Sequence, residues 1–216
     1  MPGPRVSQLL PALPLPVEHF AGLAPWPAER LATLPGRCRG ILLRDWADHC
    51  ARRFGPTAVA AVRAQAGPLA ALVPDQPDLR DWLPAAAQIA LTDAIVACHL
   101  GGQTMRLEPL LREDALRDLT RVHRLLARAM GPHGGYRQVQ GVYHKLYDIG
   151  KFRAEVGDRT AVLHCAGAAL FGNPTWRVLQ LFAHRAALHV LTGRDDGEVT
   201  GVGDGGGGFW MRLRWQ

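Results

Sequence analysis

The sequence predicts an α+β fold, in which a helical N-terminal part packs with a small antiparallel sheet and a crossing C-terminal helix. Three observations predict it. From about Gly40 to Asp148 the apolar residues recur at helical spacing. At Lys151 the period drops to two: Phe152, Ala154 and Val156 alternate with Lys151, Arg153 and Glu155, as in a half-buried strand. Helical spacing then returns once, over 174–192, before the chain closes on the alternating run FWMRLRW.

In order, residues 1–38 read as a proline-rich arm docked on the domain. Eight prolines between Pro2 and Pro35 forbid a long helix, yet Leu9, Leu10, Leu13, Leu15, Val17, Phe20 and Trp26 are too apolar for a free linker. Pro27 starts a short helical turn over Ala28–Thr33. Residues 39–216 read as a single α+β domain that binds a ligand or a partner.

Its first amphipathic helix spans 41–53 and ends at Gly55; a second spans 56–66, with Pro56 at its first position, and stops at Gly67-Pro68. After a loop rich in proline and aspartate, Trp82 and Leu83 anchor a third helix that starts with Pro84 and runs to about His99. Gly101-Gly102 ends it. A longer helical region covers 105–130, and GPHGG at 131–135 is a strong break before a helix over 137–148. Residues 151–165 form a hairpin about Gly157-Asp158. Asn173 caps the 174–192 helix, with Pro174 as its first residue. That helix is apolar almost all round and needs cover from the sheet and from another element or a dimer mate. Glu198–Val202 is a weak strand. The final strand puts Phe209, Met211, Leu213 and Trp215 on one face and Trp210, Arg212 and Arg214 on the other.

At 216 residues and 48% apolar content, the chain can bury a sizeable core. Its formal charge of +6 is carried mostly by arginine and spread along the chain. Such an excess favours solubility without establishing nucleic-acid binding, which wants a clustered patch. The most basic surface is the set Arg117, Arg121, Arg124 and Arg128, read as a solvated helix face, with an anion-binding strip as the sharper alternative. Cys38, Cys50, Cys98 and Cys165 form no CxxC pair and fit a reducing cytosol. Neither a leader pattern nor an apolar run of membrane-spanning length is present, so the expected setting is cytoplasmic and soluble.

Catalytic patterns are equally scarce. Ser7 is the sole serine, and His49-Cys50 and His164-Cys165 are neighbours in sequence only. The glycines at 201, 203 and 205–208 lack a following Lys-Ser/Thr and a helix, so they read as a turn rather than a phosphate loop. His164, Cys165, His184 and His189 are poorly placed to converge on a metal.

Three passages carry a resemblance: RGILLRDWADHCARRFGPTAVAAV (Arg39 to Val62), HKLYDIGKFRAEVGDRTAVLHCAG (His144 to Gly167), and the last helix with its closing strand ending in RLRW. With these, residues 39–216 resemble the myxobacterial paralogous family of unknown function. More distantly, the layout is similar to the superfamily of haem nitric-oxide sensors, vinyl-reductase-like domains and transport-particle subunits. That resemblance implies helices and an antiparallel sheet around an apolar cavity that holds a haem, a small ligand, an acyl chain or a partner. The haem-gripping Tyr-x-Ser-x-Arg pattern is absent after Tyr136, Tyr143 and Tyr147, and His99 and His123 read as ordinary surface or core histidines. No cofactor or metal is expected.

These readings lead to a non-enzymatic regulatory or scaffold module that binds a protein partner, as a homodimer through helical faces. The alternative is a small-molecule sensor whose cavity, between sheet and helices, is lined by Phe152, Trp176, Phe182 and Trp210. A weaker alternative is anion or nucleic-acid binding through Arg117, Arg121, Arg124 and Arg128. A ligand-sized void beneath the 174–192 helix would favour the sensor.

Overall fold

A computed structural model describes residues 13–117, 121–203 and 208–216. The helical part comprises α1 (Val17–Ala21), α2 (Ala28–Ala32), α3 (Gly40–Phe54), α4 (Ala58–Gln65), α5 (Ala85–His99), α6 (Leu107–Arg117) and α7 (Arg121–Leu146). Two three-residue strands, β1 (Arg37–Arg39) and β2 (Trp82–Pro84), pair antiparallel ahead of α3 and α5. The C-terminal third adds β3 (Lys151–Val156), β4 (Thr160–Ala166), α8 (Pro174–Thr192), β5 (Glu198–Gly203) and β6 (Phe209–Arg214). The four long strands form one antiparallel sheet in the order β3-β4-β6-β5. The class is α+β, as the sequence predicts.

The alternation in the closing strand holds. Ala161, Leu163 and Cys165 pair across from Leu213, Met211 and Phe209, and all six are buried on one sheet face. The other face carries Arg212 and Arg214. Asn173 caps α8, its side-chain oxygen accepting from the Trp176 backbone N–H at 2.8 Å. Gly193 ends the helix in the left-handed region.

Helix α8 is the centre of the fold. It packs against α6 and α7 on one side and against the sheet and α1 on another. Its all-round apolar character is met within the chain, by the sheet and by several helices. α5 is buried on nearly every side; its alanines let α2, α3, α4 and α8 approach closely.

Segment 13–38 lies on this body. Val17 and Phe20 are buried, and Phe20 meets the Phe209 ring edge-on at 5.5 Å. Leu15 exchanges two backbone hydrogen bonds with Gly201, so β5 does not present a bare edge there.

Two departures from the sequence reading concern breaks. The 105–130 region is two helices, α6 and the start of α7, while 118–120 lie outside the described residues. The expected break at 131–135 narrows to Gly131, whose φ of 64° and ψ of 177° separate two helical segments. Pro132 opens the second segment, and Gly134 and Gly135 are helical. They serve packing: a Cβ on Gly135 would lie 2.9 Å from Leu191 Cδ1. The β1–β2 pair is also absent from the sequence reading, because three residues show no period.

Candidate functional site

A cavity of about 440 Å³ opens between α3, α6, α7 and α8, with Gln88 of α5 and Phe152 of β3 at its inner end. Its cause is small side chains where helices face one another. Ala183, Ala186 and Ala187 of α8 and Ala115 of α6 stand where leucines would fill the space. Leu42, Trp46, Leu111, Val139, Leu146, Leu179 and Leu191 complete an apolar wall. Ala183 is exposed although it lines the cavity, and Val142 at the rim is also exposed, so the space communicates with solvent.

All three tyrosines of the chain line this cavity. Tyr136, Tyr143 and Tyr147 lie seven and four residues apart; the first two share a face of the second segment of α7 and Tyr147 follows just past its end. Tyr143 stacks on Tyr147 at 5.1 Å and on Phe152 at 4.7 Å between ring centres. Each hydroxyl donates inward: Tyr136 to the His184 carbonyl at 3.2 Å, Tyr143 to the Ile149 carbonyl at 2.8 Å, and Tyr147 to Gln88 Oε1 at 2.9 Å. Burial raises the Tyr136, Tyr143 and Tyr147 hydroxyls well above the ordinary phenol range. They stay neutral and present ring faces.

Besides the tyrosines, the polar wall groups are Gln88, Gln180, His184 and the carboxylates of Asp45 and Asp114. Gln180 brings an amide beside the Tyr147 hydroxyl. His184 is buried, and burial pushes it down to about 4, so it is neutral at ordinary pH. Asp114, towards the α3–α6 side, is held by His49 Nδ1 at 2.6 Å, Arg117 at 3.1 Å and Arg52 at 3.5 Å. Among the described residues, the wall contains no arginine or lysine.

Of the four aromatic residues expected to line a cavity, the structure brings Phe152 alone into this wall. Trp176 is fully buried one layer behind it, against Tyr147, Phe171 and Phe209. Phe182 turns towards a second, polar pocket between α6, α8 and residues 194–198. There, charges satisfy one another: Arg185 pairs with Glu108 at 3.1 Å, and Asp195 with Arg112 at 2.6 Å and His189 at 2.7 Å. Trp210 lies on the other sheet face, stacked on His164 at 3.8 Å beside Val162 and Val202. The tyrosines, which by sequence match no haem motif, are the functional residues that sequence reasoning misses. Their 136/143/147 spacing was the available signal.

Arg117 closes α6 in its pair with Asp114, whereas Arg124 and Arg128 lie on α7. The side chain of Arg121 lies outside the described residues. His164 and Cys165 point to opposite faces of β4, and among the described residues no group of three or more His, Cys, Asp or Glu could hold a metal ion. No single described helix is long and apolar enough to cross a membrane.

No protein-family profile matches the chain, and no curated protein matches it in sequence. Among solved structures, it is similar to an Fe(II) unliganded H-NOX protein from K. algicida and to a single-substitution variant of that protein. In each case the identity is 10% and the TM-score 0.48, over 82% of this chain and 95% of the other. The described residues around the cavity do not fit a haem: beside the one histidine, His184, none of them is a basic side chain that could hold the propionates.

Proposed function

We propose that this chain is a binding module that takes a small, largely apolar molecule into the α3–α6–α7–α8 cavity and performs no bond chemistry on it. One observation carries the reading: a solvent-connected space of about 440 Å³ bounded by three stacked aromatic rings, aliphatic side chains and alanines. Sites that hold small molecules run from roughly 300 to 1,000 Å³, with mostly apolar walls and a few polar groups that set orientation. Gln180, Gln88 and neutral His184 supply those groups, and they favour one uncharged polar function on the ligand. With no basic side chain among the described wall residues, an anionic head would enter unpaired there.

This reading takes the sensor alternative ahead of the partner-binding scaffold, because α8 finds its cover inside the chain. Membership of the myxobacterial paralogous family belongs to the same proposal and is supported by the three quoted passages.

The test uses N-phenyl-naphthylamine, an uncharged dye that brightens in apolar surroundings, titrated into the purified full chain. Saturable uptake of one dye per chain is expected. Ala183→Phe, which fills the cavity from an exposed position, should weaken uptake by about tenfold or more. Uptake that never saturates, or that Ala183→Phe leaves unchanged while circular dichroism stays native, refutes the proposal.

A further inference from the structure

The basic excess of the chain is not evenly placed. Helix α7 carries four arginines and one lysine across its 26 residues and has no carboxylate, which gives it +5 against +6 for the whole molecule. Among the described residues, Arg124, Arg128, Arg137 and Lys145 make no ion pair, and all but the half-buried Arg124 are exposed.

The first segment of α7, before Gly131, is amphipathic in an inverted sense. At 3.6 residues per turn, Leu125, Leu126, Ala129 and Met130 share an arc of roughly 140°. That arc faces solvent: Leu125 is 57% exposed, Leu126 62% and Met130 44%. Ala127 and Arg124, on the opposite side, are half-buried against the body. Adjacent exposed leucines next to unpaired arginines are the surface pattern of an interfacial helix. The same helix carries Val142, 49% exposed at the cavity rim.

We infer that the outer face of α7 docks on a membrane surface of anionic lipid. Leu125, Leu126 and Met130 enter the acyl boundary, while Arg128, Arg137 and Lys145 meet the phosphate headgroups. Charge complementarity selects this occupant. A second copy would set two helices of +5 against each other, and the like charges would repel. Single-stranded nucleic acid would want exposed aromatic rings for stacking, and this face offers leucine and methionine instead. A lipid surface satisfies the charge and the apolar arc together. The inference stands on α7 alone and goes beyond the cavity reading; if both hold, an apolar ligand reaches the rim from the bilayer.

Sedimentation of the full chain with vesicles tests it. Vesicles of phosphatidylcholine with phosphatidylglycerol should retain the protein, and phosphatidylcholine alone should not. Retention should fall as salt rises, and by about tenfold or more in L125S/L126S and in R128Q/R137Q. Both pairs alter solvent-facing or partly exposed positions, and native circular dichroism with unchanged N-phenyl-naphthylamine uptake would show that the fold and cavity survive. No retention on anionic vesicles, equal retention on neutral ones, retention that both variants preserve, or binding to duplex nucleic acid or an acidic peptide in place of vesicles would each overturn it. Vesicle binding without dye uptake removes the cavity proposal and leaves this one; dye uptake without vesicle binding does the reverse.

Discussion

His184 shows how one residue's surroundings reverse its usual behaviour. It sits in α8 beside the Tyr136 ring, at 5.6 Å between centres, and burial lowers it from 6.5 to about 4. The unfolded chain therefore takes a proton at this position below about pH 6.5, while the folded chain refuses it until about pH 4. Folding stability contributed here is intact above pH 6.5 and is lost as pH falls towards 4, by about 3 kcal/mol at most. Asp93 works in the opposite direction. Burial raises it from 3.8 to about 6, against the hydrogen bond it accepts from Thr175 Oγ1 at 2.6 Å, so its contribution declines as pH rises between those values. His184→Phe isolates the first effect, since the imidazole ring makes no hydrogen bond among the described residues. Urea unfolding of wild type and variant should converge near pH 4 relative to pH 7, with the variant flatter across the interval. Parallel curves would show that His184 is not the group responsible.

At the scale of the element, the junction between α7 and β3 locks the helical part to the sheet. Asp148 accepts from the Arg37 backbone N–H and from Arg37 Nε, both at 2.6 Å, so the end of α7 is tied to β1. Gly150 then turns the chain at φ 68°, and a Cβ there would run into the Phe171 ring and lie 3.0 Å from the Ala166 carbonyl. Gly150→Ala should therefore cost about 2–4 kcal/mol of stability, as backbone strain and overpacking act together. Gly101→Ala is the control. Its φ of 63° is similar but nothing lies within 4 Å of the added atom, and the cost should be only about 1 kcal/mol. Equal urea midpoints for the two variants would remove the packing part of the argument. This junction was legible in the sequence as the change of period around Tyr147, Asp148 and Gly150. Within α7 the legibility failed, because glycine marks both turns and close contacts. Gly131 breaks the helix, whereas Gly135 admits Leu191, and one-dimensional spacing does not separate these uses.

For the whole molecule, one core joins regions far apart in the chain. Cys38 in β1, Cys50 in α3 and Cys165 in β4 all belong to it. Burial pushes the Cys38 and Cys50 thiols up to about 12 and about 11, and raises that of Cys165 as well. Cys98 is exposed at the end of α5. Iodoacetamide should label Cys98 at once and the other three together, at a rate set by opening of the common core. Staggered labelling of the three, followed by peptide mass spectrometry, would show that the helical part and the sheet open independently.

Local periodicity determined the class of fold, the hairpin, the closing strand and the cap of α8, because each depends on residues within a few positions of one another. The sequence also contained every residue of the cavity, but not the cavity. Ala115, Ala183 and Ala187 come from two separate helices, and each alone reads as an ordinary helix former. Only when α6, α7 and α8 are packed do the small residues face one another and leave unfilled volume. Tertiary packing likewise decided that Phe152 enters the wall while Trp176, Phe182 and Trp210 do not. Hydrophobic pattern says which side of an element is buried; what it is buried against is set by the relative placement of elements distant in sequence.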